Sequence, residues 1–252
     1  MMHDMAPHDA LTLPGANVQR VREARFVVLP LGSVEYHGPH APLGVDTTLA
    51  VGFARALAER ADGLVLPPIA YTFASTLTSA RPGTLSVAAE PFLAYVREVL
   101  AALVRQGVTR VVALNAHSEN QHALRLAAET VVAGAPAASV LIVDWWKLVR
   151  PEDAPAFSEA GGHGHGGPVE VSTTAAFDPA GVLRSAAPDI AYEAPWWRGA
   201  AQVVGAGQAP RGFDGYHGRV SEIDAAVGAA IRDAVLQRLE RLVDEWLERA
   251  AG

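Results

Sequence analysis

Hydrophobic and polar positions alternate along the chain in two rhythms, short apolar runs and longer stretches with helical spacing, and the two take turns. Residues 26–31 form an apolar strand-like run that stops at Pro30-Leu31-Gly32. The segment 49–60 then has helical periodicity, with Asp46-Thr47-Thr48 as a cap cluster and Asp62-Gly63 as its end. Residues 64–66 predict a second strand, halted by Pro67-Pro68. Further on, 90–105 predicts a helix ending at Gly107, 110–114 a buried strand, 121–132 a helix and 139–143 another strand. Helical spacing resumes over 168–177, and 221–250 reads as a long amphipathic helix with Ser221 as its cap. Between them, 71–84 is a loop rich in Ser and Thr, suited to lining a pocket, and 155–167 is irregular and glycine-rich. Residues 178–218 show few clear elements.

Such alternation predicts an α/β fold with a mostly parallel sheet, whose ligands bind beyond the carboxyl ends of the strands. No compositional break divides the 252 residues. A single domain over 1–252, with 1–24 as a polar N-terminal arm, is therefore the expectation.

Side-chain chemistry concentrates at two predicted strand ends. The first strand runs into Glu35-Tyr36-His37, with Asp46 nine residues beyond His37; the third runs into His117-Ser118-Glu119. In extended backbone, residues two apart project from the same side. Glu35, His37, Asp46, His117 and Glu119 are three carboxylates and two imidazoles, a donor set that suits Zn²⁺ or Mn²⁺ and is large enough for two ions. Three carboxylates brought together would repel one another unless cations lay between them, and Asp46 is placed to bridge. Separately solvated loop side chains are the bland alternative for any one of them, but a poor account of five at two strand ends. His165 and Glu170 flank Gly166-Gly167-Pro168, which makes His165 a candidate acid or carbonyl polariser, with His163 as its rival. Trp145-Trp146 and Trp196-Trp197 read as core or interface packing before substrate stacking.

Composition narrows the field. The formal charge is −7 with the 20 Lys and Arg scattered, which argues against a nucleic-acid partner. There is no cysteine, hence no thiolate ligand or nucleophile, and no Gly-x-Ser-x-Gly elbow, so a metal-activated hydroxide is the favoured nucleophile. No apolar stretch reaches the ~18 residues of a membrane span. The first residues do not resemble a secretory signal. A cytoplasmic enzyme with no membrane association is the expectation; a non-catalytic protein that binds a metal or small ligand in the strand-end cleft is the rival. A nucleotide-binding domain is disfavoured, since no Gly-x-Gly-x-x-Gly follows the first strand.

Four stretches together resemble the creatininase (creatinine amidohydrolase) family. They are Leu29-Pro-Leu-Gly-Ser-Val-Glu-Tyr-His-Gly-Pro-His-Ala-Pro-Leu-Gly-Val-Asp46, Arg81-Pro-Gly-Thr-Leu-Ser86, Leu114-Asn-Ala-His-Ser-Glu-Asn120 and His165-Gly-Gly-Pro-Val-Glu170-Val-Ser172. The resemblance implies a three-layer α/β/α sandwich, a homohexamer and a dinuclear Zn/Mn centre that hydrolyses a C–N amide bond in a small-molecule substrate. By that resemblance Glu35, Asp46 and His117 would hold one metal, and His37, Asp46 and Glu119 the other. His165 would be the catalytic histidine and Glu170 its downstream glutamate. Creatinine-cleaving members carry a Trp-Asp pair shortly before that histidine, where this chain has Gly161-Gly162, and a longer loop before the Pro-Gly-Thr turn. The resemblance therefore implies the metal chemistry more directly than creatinine as the substrate; formamides and peptide ends are alternatives.

Overall fold

A computed structural model describes residues 8–157, 164–191, 201, 203–205, 208–209 and 212–251. Four parallel strands form the central sheet: β1 (Val27–Leu31), β2 (Leu64–Val65), β3 (Arg110–Asn115) and β4 (Ser139–Asp144), in the order β2-β1-β3-β4. The helices are a short turn α1 (Arg20–Glu23), then α2 (Val45–Ala61), α3 (Ala89–Arg105), α4 (Gln121–Ala133), α5 (Pro168–Phe177) and the long α6 (Ala225–Ala251).

Because strand side chains alternate between faces, β1 and β3 each feed two cores. Val28, Val112 and Leu114 pack with Leu49, Phe53 and Leu57 of α2 and with Ile231, Val235 and Leu239 of α6. Val27, Leu29, Leu31, Val111 and Ala113 pack with Phe92, Val96 and Leu100 of α3 and Leu124 of α4 on the opposite face. Every residue of β1 is buried, as expected for a parallel strand covered on both faces. The result is the three-layer α/β/α arrangement.

Two caps differ from the sequence expectation. Asp46 is not the N-cap of α2: the helix begins at Val45, with Gly44 at the cap position, and the Asp46 carboxylate is drawn away by Ser33 and two histidines instead of serving the helix amides. Likewise α6 starts at Ala225, where Asp224 Oδ1 accepts from the Ala226 N–H at 2.7 Å; Ser221 lies in a preceding 3₁₀ turn and donates its hydroxyl to Asp189. At its other end α2 closes as expected, with Asp62 in the left-handed conformation (φ 57°).

Trp145 is core, stacked on Phe53 with ring centroids 5.4 Å apart. Trp196-Trp197, Gly161-Gly162 and His163 lie outside the described residues. Among the described residues, no helix is long and apolar enough to cross a membrane.

Candidate metal centre

β1 and β3 end side by side, Leu31 in register with Asn115, so the loops leaving them emerge at the same edge of the sheet. Gly32 brings the β1 loop against the first turn of α2: a Cβ there would lie 2.5 Å from Thr47 backbone atoms. Across this contact Thr47 Oγ1 donates to Ser33 O (2.8 Å) and Ser33 Oγ donates to Asp46 Oδ2 (2.6 Å), which aims the aspartate into the cleft. The third contributor, the turn before α5, is pressed on from outside. Gly166 has φ +67°, and a Cβ there would lie 2.4 Å from His37 O.

Glu35, His37, Asp46 and His117 are all buried. Two groups of metal-competent donors form around them, Glu35 with Asp46 and His117, and His37 with Asp46 and Glu170. Asp46 belongs to both. A third grouping of Glu35, His37 and His165 overlaps them.

Each imidazole is oriented by a backbone carbonyl, which can only accept. His117 Nε2 therefore donates to Phe73 O (2.9 Å), leaving Nδ1 at 3.0 Å from Glu35 Oε2 and 3.1 Å from Asp46 Oδ2. His37 Nδ1 donates to Glu35 O (3.0 Å), leaving Nε2 at 3.4 Å from Asp46 Oδ1 and 3.6 Å from Glu170 Oε2. This is the arrangement by which proteins fix the tautomer of metal-bound histidine. Two donors on one tetrahedral Zn²⁺, each roughly 2.0–2.1 Å from it, stand about 3.3 Å apart, close to the spacings seen in both groups. His37 Nε2 is moreover buried without a hydrogen-bond partner, the condition a cation would relieve. The residues therefore suit a pair of divalent ions.

The electrostatics agree. Burial opposes charge on His37, yet the carboxylates of Asp46 and Glu170 raise its pKa to about 10; His117 is raised well above its ordinary value against the same burial, by Glu35 and Asp46. Burial would raise Glu35, but His165 and His117 hold it at about 2, and Asp46 is lowered despite burial by His37 and His117. Protons on the two histidines thus balance the carboxylates where cations would do so.

His165 stacks on His37, centroids 4.1 Å apart, and donates from Nε2 to Tyr36 O at 2.8 Å. Burial, then the charge of His37, lowers its pKa to about 4, so it is neutral near pH 7. Glu170 is raised to about 7, first by burial, with the Asp46 carboxylate adding to it. Of the seven residues singled out by sequence, six converge here. Glu119 stands apart from these groups, its carboxylate accepting from the Ser75 N–H (2.9 Å) and the Thr76 hydroxyl.

Several supporting residues carried no motif signal. Ser33 and Thr78 hydrogen-bond Asp46 and Glu35, and only the Ser/Thr-rich composition of 71–84 hinted at the latter. His40 donates from Nε2 to Gly166 O (2.8 Å) and ties the α5 turn to the β1 loop.

The family model described as creatinine amidohydrolase matches residues 11–243. Among curated proteins, the creatinine amidohydrolase of Pseudomonas putida is 31% identical over 136 residues, 49% of this chain and 51% of that protein. The mycofactocin precursor peptide peptidase of Mycobacterium ulcerans is 34% identical over 169 residues, 62% and 60% respectively. A 3-dehydro-scyllo-inosose hydrolase of Thermotoga maritima matches at 33% over 101 residues, 40% and 32%. The chain thus spans less than two thirds of each of these relatives. A solved manganese creatininase superposes with TM-score 0.83 at 23% identity, covering 96% of this chain and 99% of that one. A Bacteroides fragilis protein described as a putative creatinine amidohydrolase gives 0.77 at 20%, covering 95% and 96%. With the family model spanning nearly the whole sequence and the same fold beneath it, the chain belongs to the creatininase family.

Proposed function

We propose that the protein is a dinuclear metal-dependent amidohydrolase that cleaves a C–N bond in a small amide. The observation that carries this reading is Asp46, whose two carboxylate oxygens face two histidines, each with its free nitrogen turned inward by a backbone hydrogen bond. Glu35, Asp46 and His117 would hold one ion, and His37 and Asp46 begin the site of the other; Zn²⁺ and Mn²⁺ both suit these donors. When bound, such ions supply an acidified water and an electrophile for the scissile carbonyl.

The protein's own groups perform the proton traffic. His165, with Nε2–H fixed on Tyr36 O, has a lone pair on Nδ1 while neutral. It accepts the proton of the attacking water there and returns it to the departing nitrogen, general base and then general acid. His40 and Gly166 keep that ring against His37. Thr78 and Ser33 hold the two carboxylates in place, so little reorganisation accompanies the chemistry.

The family resemblance, the inosose hydrolase and the creatinine amidohydrolase support a small cyclic or linear substrate. A second reading, trimming of a short peptide, is favoured by the peptidase relatives, with which the chain shares 62% of its length. A cytoplasmic homo-oligomer, a hexamer by resemblance, accompanies either reading. Metal analysis of the purified protein together with a panel of creatinine, hydantoins, formamides and short peptides tests the proposal. Two ions per chain and chelator-sensitive turnover of one class are expected; tightly bound metal with no turnover of any would favour a binding protein.

A further inference from the structure

Asn115 and Asp144 are the last residues of β3 and β4 and stand side by side in the register of the two strands. Asn115 is fully buried, and its Nδ2 donates to Asp144 Oδ1 at 2.8 Å. The other oxygen of Asp144 accepts from Gln121 Nε2 and pairs with Lys147 Nζ at 2.8 Å. An ionised carboxylate only accepts hydrogen bonds, so Asn115 has to turn its NH₂ to β4 and its Oδ1 to the loop that follows β3. There Oδ1 accepts the His117 N–H (3.2 Å) and an N–H of Asn120 Nδ2 (3.1 Å). Asn120, also fully buried, donates from the same nitrogen to Gly32 O at 3.1 Å. The short loop that carries His117 and Glu119 is thus tied at both ends, to the β1 loop at Gly32 and, through Asn115, to Asp144. Without that carboxylate, nothing decides which end of the Asn115 amide faces the loop. Turned over, it would set its NH₂ against the His117 N–H and the Asn120 NH₂, buried donors with no acceptor between them.

We propose that Asp144 is a positioning residue for the metal centre: by fixing the amide of Asn115 it holds the His117 N–H, and with it the loop that carries His117 and Glu119. The proposal rests on the metal-binding reading above and adds to it a residue of the edge strand, outside the donor groups themselves. Asp144 acts only through Asn115. Lys147 pairs with the oxygen that Asn115 does not use, which separates the charge of the aspartate from its hold on the amide.

The test compares wild type, Asp144→Ala, Asp144→Asn and Lys147→Ala in two ways: hydrogen exchange of the His117 amide in metal-stripped protein, read by NMR, and Zn²⁺ affinity by competition with a chromophoric chelator. In Asp144→Ala the amide should exchange faster and Zn²⁺ affinity should fall roughly tenfold or more, as for other groups that orient metal ligands, with the wild-type stoichiometry kept. Asp144→Asn still offers Asn115 an acceptor oxygen and should bring both readouts back close to wild type, and Lys147→Ala should leave both unchanged. Wild-type affinity in Asp144→Ala would overturn the proposal, whether or not exchange is faster. Lowered affinity with unchanged exchange would overturn the route through Asn115. An equal loss in Asp144→Asn or Lys147→Ala would overturn it too, because charge and not the hold on Asn115 would then be at work. A wild type that takes up no Zn²⁺ overturns the metal reading itself, and the positioning role with it. Should Asp144→Ala fail to fold, Asp144→Ser, which withdraws the acceptor while keeping a polar group, takes its place with the same expectations.

Discussion

Asp46 stands between two histidines: Oδ1 is 3.4 Å from His37 Nε2 and Oδ2 is 3.1 Å from His117 Nδ1. As the group shared by both donor sets, it would make the two proposed sites interdependent. Asp46→Ala is expected to lose both ions, read by elemental analysis, and nearly all hydrolysis. A variant that keeps two ions, or full activity after metal removal, would refute the shared role.

Thr78 Oγ1 donates to Glu35 Oε1 in the buried cleft. Thr78→Val removes that hydroxyl at nearly constant volume. Affinity for one ion should fall roughly ten- to a hundredfold, measured by competition with a chromophoric chelator, while the thermal midpoint in excess metal changes little. Unaltered affinity would mean that Glu35 needs no such support.

Gly166 carries positive φ (+67°) against His37 O. Gly166→Ala adds a Cβ that the His37 carbonyl and the Tyr216 Cβ both block, so the His165 turn must move. The expected result is a loss of activity of order 10²-fold or more, as for a displaced general base, with the ions retained. Near wild-type kcat would show that the turn has room to adjust.

The metal-free protein should become less stable as pH rises. His37, ordinarily 6.5, is held at about 10 in the fold, and Glu170, ordinarily 4.5, at about 7. The folded state thus binds more protons than the unfolded chain. The His37 contribution is fully present below pH 6.5 and is lost as pH climbs through 10. Glu35 and Asp46, with lowered values, act in the opposite sense and only in acid. Melting of stripped protein between pH 7 and 10 should show a falling midpoint, while Zn²⁺ binding over the same range releases protons and tightens. A flat or rising midpoint in the stripped protein would contradict the protonated His37.

Far from the site, Arg238 of α6 grips Asp153 with both Nη atoms and donates to Leu148 O (2.9 Å), with the Asp153 side chain only 5% exposed. Burial opposes the charge on Asp153, but hydrogen bonds from Arg238 and the Arg150 amide lower its pKa. Its contribution is present above the ordinary carboxylate range and lost as pH falls through the lowered value. Arg238→Met should cost about 1–3 kcal/mol in urea unfolding, a difference that narrows in acid. An unchanged midpoint would show the pair to be merely solvated.

The sequence by itself determined the α/β class and picked out six of the side chains that the fold brings together, because both are written in local pattern. Apolar runs and helical spacing specify β1, β3, α3 and α4 almost to the residue, and Glu35, His37 and Asp46 lie in one short stretch whose strand-end position follows from alternation alone. Cap positions were less legible. Asp46 resembles an N-cap because the same oxygens that suit helix amides also suit Ser33 and two imidazoles, and only tertiary approach decides between them.

Tertiary structure alone decided which distant residues meet. Glu119 reads in sequence as a metal ligand and Glu170 as the catalytic histidine's downstream glutamate, but the first is turned to the Ser75 amide and the Thr76 hydroxyl and the second is carried to His37 by the Gly166 turn. His40 and Thr78 likewise have partners 126 and 43 residues away. Hydrogen bonds across such separations depend on how loops from different strands pack, a property that no local spacing encodes.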